Sequence, residues 1–146
     1  MRLISHRGNI AGRIPERENT KLYIIEALVQ GYDVEVDVWY VGGELYLGHN
    51  SIQEEIDIPF LQNDKIWVHA KSIAALEACL RNDIHCFYHN EDDCVLTSQN
   101  YIWVYPGKKL GKIKNRSIAV LPEYIDGEYD CYGVCSDYPL SYKHIS

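Results

Sequence analysis

No stretch of the chain approaches the roughly 18 consecutive apolar residues that a membrane-spanning helix needs, which argues against a transmembrane segment. Met1 leads almost directly into Leu3-Ile4-Ser5, without a basic region, a long apolar run or a cleavage site, so no secretory leader is read there. The cysteines are odd in number: Cys79, Cys86, Cys94, Cys131 and Cys135. An odd count without a leader predicts reduced thiols in a cytoplasmic protein. Cys131 and Cys135 lack the spacing of a zinc ribbon and read as structural thiols. Positive charge is in deficit, with 14 Lys and Arg against 21 Asp and Glu and a net charge of −7. That balance excludes a broad nucleic-acid-binding surface. Linkers, internal repeats and low-complexity tracts are also missing, so residues 1–146 read as one domain.

What is present is enough for a packed core: 47% hydrophobic residues, 12 tyrosines and 3 tryptophans. Short β-rich runs recur at residues 2–5, 34–39, 44–47, 65–70, 84–88, 101–105, 117–121 and 132–135. Helical spacing appears over residues 20–30, where Tyr23 pairs with Ala27, Ile24 pairs with Leu28, and Gly31 is a stop. It recurs over residues 72–81, with Ser72 as N-cap. There Ile73, Leu76 and Leu80 form an expected buried stripe flanked by Ala74 and Ala78. Gly42-Gly43 marks a hairpin.

Strand–helix–strand order predicts an α/β fold with parallel pairing. A full eight-unit barrel takes about 250 residues, whereas eight units here would average about 18 residues each. That leaves too little room for a strand, a helix and two loops throughout. The expectation is a reduced or truncated TIM-like β/α barrel whose second half is short of helices. Incomplete helix cover would leave apolar strand faces open, which allows self-association.

Val34-Glu35-Val36-Asp37-Val38 is the most informative segment. Alternation along a strand puts the three valines on one face and Glu35 and Asp37 on the other. Two neighbouring acids on a half-buried strand are costly unless they are solvated or bind a cation. Their oxygens suit Mg²⁺ or Ca²⁺, and an exposed surface strand would also accommodate them. His6-Arg7-Gly8 follows the first strand and offers an acid–base imidazole and a forked phosphate donor. His49 follows the hairpin, and residues 66–71 place Trp67, His69 and Lys71 on one face. Reactive side chains thus gather at the C-terminal ends of the early strands, the active end of β/α barrels.

Taken in order, His6-Arg7-Gly8, Glu18-Asn19-Thr20, Glu35-x-Asp37, Gly42-Gly43-Glu44 and His49 resemble the glycerophosphodiester phosphodiesterase family of the PLC-like phosphodiesterase superfamily. The resemblance covers the first third of the chain. It returns at Ser136-Asp137-Tyr138-Pro139, which is similar to the family's closing turn; the middle is much shorter than in the family. The resemblance implies a small phosphodiester substrate, while the charge balance and the lack of a long apolar run predict no nucleic-acid partner and no stable membrane insertion. His6 and His49 would be the acid–base pair, and Arg7 and Lys71 the phosphate holders. Glu35 and Asp37 would ligate one divalent cation, with His69 and Glu18 as candidate further ligands and Asn19 in support.

The family normally carries a third acid where this chain has His69, and Asp where it has Asn50. Imidazole favours Mn²⁺ or Zn²⁺ over Mg²⁺ or Ca²⁺. Three outcomes are open: a shifted metal preference, replacement of the ligand by Glu18 or water, or a weakened site. A degenerate site would make the protein a non-catalytic binder of a phosphorylated ligand or an anionic polymer. His85 and His89 are candidates for the strand-end mouth, Trp103 and Tyr105 for an apolar wall or core, and Glu123 and Asp137 for turn acids. The basic run at residues 107–116 lacks P-loop order and reads as a solvated loop.

Overall fold

The computed structural model describes residues 1–125 and 129–144. The elements in chain order are β1 (Arg2–His6), α1 (Lys21–Val29), β2 (Asp33–Val41), β3 (Glu44–Leu47), β4 (Glu54–Ile56), α2 (Ile58–Leu61), β5 (Ile66–Ala70), α3 (Ile73–Arg81), β6 (Cys86–Tyr88), β7 (Cys94–Leu96), β8 (Ile102–Val104), β9 (Ser117–Val120) and β10 (Gly133–Ser136). Short 3-10 turns cover Lys114–Arg116 and Pro139–Tyr142. The fold is mixed α/β. None of its described helices is long and apolar enough to cross a membrane.

One curled, half-barrel sheet carries all ten strands. Its parallel run is β6-β5-β2-β1-β10-β9-β8, so the last strand closes beside the first. Three antiparallel additions complete it: β3 on the far half of β2, β4 on β3, and β7 on β8. Gly42 and Gly43 make the β2–β3 hairpin as expected. β4, β7 and α2 had no clear sequence signal, since each is only three or four residues long.

Two apolar cores lie on opposite faces of the sheet. On the concave side Ile4, Trp67, Phe87, Trp103, Ile118, Val120 and Cys135 pack together. Phe87 of β6 and Trp103 of β8 stand near opposite edges of the sheet, yet their ring centroids are 4.7 Å apart. The edges also meet through backbone, where Ser98 N–H donates to the Cys86 carbonyl at 2.8 Å. On the convex side Val34, Val36, Val38, Ile66 and Val68 pack against Ile24 and Ala27 of α1 and Ala78 and Cys79 of α3. The valine face of β2 is therefore the convex one, which leaves its acids on the concave side.

Thr20 and Ser72 cap α1 and α3 by accepting from the N–H three residues on. The buried face of α3 differs from the expected stripe. Ala75, Ala78 and Cys79 are buried, whereas Ile73 and Leu80 are mostly exposed. Small side chains let a short helix lie close on the valine-rich strands, and that approach outweighs burial of the larger residues. Trp103 resolves to the core.

Candidate active site

The strand register brings the chemistry-bearing residues together. His6 pairs with Glu35 across β1 and β2, and Asp37 pairs with His69 across β2 and β5. All four side chains lie on the concave side near the C-terminal strand ends. Glu35 is 3% exposed and Asp37 fully buried, so the surface-strand reading of these acids does not hold.

The two carboxylates have unequal support. Asn19 clamps Asp37 by donating from Nδ2 to Oδ2 and accepting the Asp37 N–H, each at 2.9 Å. Arg7 Nε lies 3.1 Å from the same Oδ2. Burial disfavours ionisation of Asp37, but contacts from His49 and His69 and the Arg7 charge outweigh it and hold its pKa well below the usual range. Glu35 is pushed well above the usual range, by burial first and then by the Asp37 charge. Its Oε1 and the Oδ1 of Asp37 are buried without hydrogen-bond partners. Two buried oxygens of neighbouring acids, each short of a donor, are the arrangement a cation relieves. Glu35, Asp37 and His69 each offer one ligand atom, and these atoms lie within 4.8 Å of one another. The donor set therefore fits a divalent cation.

Both predicted acid–base histidines reach this pair. His6 Nε2 is 3.8 Å from Glu35 Oε1, and its Nδ1 bonds Asp137 Oδ1 at 2.8 Å. His49 Nδ1 is 3.5 Å from Asp37 Oδ2 and 2.8 Å from Arg7 Nη2. The loop carrying His49 leaves β3 through Gly48, at φ +152°. A Cβ on that residue would sit 1.8 Å from the Ser51 carbonyl oxygen. Arg7, at φ +60°, leaves β1 in the left-handed region that most non-glycine residues avoid. Its amide donates to the Glu35 carbonyl, which turns its side chain back over the carboxylates. Gly8 follows at φ +98°, where a Cβ would meet the Tyr23 ring at 2.6 Å.

Glu18 does not join the cation cluster. Its two oxygens accept from Arg7 at 3.2 Å, Asn9 at 2.9 Å and Arg13 at 3.1 Å. Burial opposes its ionisation, but these three donors outweigh that and lower its pKa. Glu18 is thus a brace for Arg7, and the proposal that it ligates metal finds no geometric counterpart. The guanidinium of Arg7 is already shared among Glu18, Asp37 and His49, which leaves only the rest of its fork for a ligand. Lys71 follows directly after β5, two residues on from His69, and its side chain makes no hydrogen bond or ion pair with a described residue.

Asp137 does more than brace the closing turn. It accepts from His6, from Asn9 Nδ2 at 2.9 Å and from Tyr124 OH at 2.8 Å. Burial opposes its charge, yet the His6 contact and these donors lower its pKa. Glu123 holds that turn, accepting from Ser136 Oγ, the Asp137 N–H and Tyr142 OH. The sequence signal for the His6–Asp137 pair was the Ser-Asp turn after the last strand, but only β10 pairing with β1 makes it a partner. Of the other histidines, His85 is buried against Trp67 and bonded to Thr97 at 2.8 Å, away from the acids. His89 does reach the mouth, stacked on Tyr105 and 6.3 Å from the His69 ring centroid. In the basic run, Lys108 pairs with Asp93 on the surface and Arg116 caps the Gln99 and Asn100 carbonyls, as expected of a loop.

No protein-family profile matches the chain, and neither a curated protein nor a solved structure is detectably similar to it.

Proposed function

We propose that the chain is a metal-dependent phosphodiesterase acting on a glycerophosphodiester-type substrate, built on a TIM-like β/α barrel reduced to few helices. The observation that carries this reading is the meeting of two sequence-distant imidazoles on one buried carboxylate pair with two uncommitted oxygens. One divalent cation held by Glu35, Asp37 and His69 would neutralise phosphate charge and polarise its oxygens. The protein's own groups divide the remaining work. Asp137 takes the Nδ1–H of His6, so Nε2 faces the acids with its lone pair and accepts the proton of the nucleophile. That nucleophile is water or a neighbouring substrate hydroxyl, the latter giving a cyclic phosphate first. His49, whose ring nitrogens lie 2.8 Å (Nδ1) and 3.2 Å (Nε2) from Arg7 Nη2, delivers a proton to the leaving oxygen. Lys71 and the unused part of the Arg7 fork hold the phosphate oxygens. A cytoplasmic location goes with this reading, with all five cysteines free.

Turnover of a generic aryl phosphodiester with Mg²⁺, Ca²⁺, Mn²⁺ and Zn²⁺ tests it. His6→Ala and His49→Ala should each cost about 100-fold or more, and a chelator should abolish activity. Full turnover by the double variant ends the proposal. One observation favours a second reading, a binder of a phosphorylated ligand or anionic polymer: Arg7 and His49 are already bonded to each other. Stabilisation by such a ligand without turnover on any metal would select it.

A further inference from the structure

We propose that Glu35, Asp37 and His69 form a mixed oxygen–nitrogen site that selects zinc or manganese over magnesium and calcium. This rests on the reading of the carboxylate pair as a cation site and deepens it. Three groups could complete the coordination beside the two acids: a third carboxylate, water alone, or the imidazole. Glu18, the nearby buried acid, has both oxygens taken by Arg7, Asn9 and Arg13. His69 is already aimed at the site. Its Nδ1 lies 3.2 Å from Asp37 Oδ1 and 4.0 Å from Glu35 Oε2. The ring is held by stacking on Phe87, 5.1 Å between centroids and 15° between planes. The strand register places it opposite Asp37 without any backbone adjustment.

The donor chemistry follows. Two carboxylates and a neutral imidazole supply a charge of −2, where a third acid would supply −3. Magnesium and calcium rely on oxygen donors and ligand charge, and both lose by this exchange. Zinc and manganese accept imidazole nitrogen alongside carboxylate oxygen. A second nitrogen stands behind the first: His89 Nδ1 is buried and unpartnered at the same rim. It lies outside the three-ligand cluster and offers a nitrogen donor rather than an oxygen.

Zinc outcompetes magnesium at most sites, so the decisive quantity is how far His69 changes the ranking. Calorimetric titration of chelator-treated protein with each of the four metal chlorides gives the zinc:calcium and manganese:calcium affinity ratios. His69→Asp should lower both ratios by about tenfold or more, with calcium binding tightened. Glu35→Gln should abolish binding of all four, and the manganese arm guards against zinc capture by the free thiols. In ¹⁵N-labelled protein, zinc should shift the His69 Nδ1 resonance. Circular dichroism confirms that each variant is folded. Ratios unchanged by His69→Asp, or an unmoved Nδ1 resonance at saturating zinc, overturn the proposal. Absence of binding by any divalent ion overturns it together with the metal-dependent reading. Zinc binding through His69 without phosphodiester turnover sinks the enzyme and leaves this inference standing.

Discussion

Glu35→Gln removes one charge from the site while preserving the shape of β2. In the metal-free protein Glu35 is buried, its Oε1 lacks a partner, and the Asp37 charge lies close by. Burial and that charge raise its pKa well above the ordinary value. A carboxyl with a raised folded-state pKa binds more protons folded than unfolded. Stability therefore falls as pH climbs past the unfolded value near ~4.3, and it levels off beyond the folded one. Inside that window each pH unit costs about 1.4 kcal/mol. An unfolding entropy of about 2.1 cal/mol/K per residue over 146 residues converts this to about 4 °C of Tm per pH unit. Glutamine cannot ionise, so the Tm of the variant minus that of the parent should grow by about 4 °C per unit above pH ~4.5. The difference is the right readout because His85 and His89 titrate in both proteins. Burial lowers their pKa values to about 4, so the stability linked to their neutral forms is lost as pH falls from ~6.5 toward 4. Thermal melts of chelator-treated protein between pH 4 and 8 measure it. Saturating divalent cation should stabilise the parent alone and close the gap. A difference that stays flat with pH, or a variant less stable than its parent, would refute the electrostatic argument.

Other outcomes follow from single contacts. Asp137→Ala leaves His6 Nδ1 and Tyr124 OH without an acceptor and Asn9 Nδ2 with Glu18 alone. It should cost about 1–3 kcal/mol and randomise the His6 tautomer, read from ring ¹⁵N shifts. Asp137→Asn should keep that tautomer, since one oxygen serves both His6 and Asn9 and the amide can face Tyr124, whose hydroxyl can turn to accept. A tautomer unchanged by Asp137→Ala would show that the carboxylate does not set it. Gly48→Ala forces a Cβ against the Ser51 carbonyl. The His49 loop should shift, with a Tm loss of about 3 °C or more and weaker turnover. A variant with parental Tm and turnover would show that the Gly48 geometry is dispensable.

Local stereochemistry made much of this protein legible. Alternation along residues 34–38 separates the valines from Glu35 and Asp37 whatever the rest of the chain does, because a strand has a period of two. Thr20 and Ser72 announce helix starts because their hydroxyls satisfy the first free amides, and Gly42-Gly43 announces the hairpin. The small number of helices follows from length alone. Contacts between distant segments were beyond such reasoning. Only the curl of the sheet decides that the acid face of β2 is concave and buried, so that Glu35 and Asp37 compete for charge. Only β10 docking on β1 turns Asp137 from a turn acid into the partner of His6. Only close helix–sheet packing chooses Ala75, Ala78 and Cys79 over Ile73 and Leu80 as the inner face of α3. Only the fold of the β1–α1 loop commits Glu18 to Arg7, Asn9 and Arg13 and leaves His69 as the third group beside Glu35 and Asp37 that could hold a metal. Bond geometry a few residues wide dictates element type and face, whereas pairing partners are set when the whole sheet closes and every buried polar group must find its match.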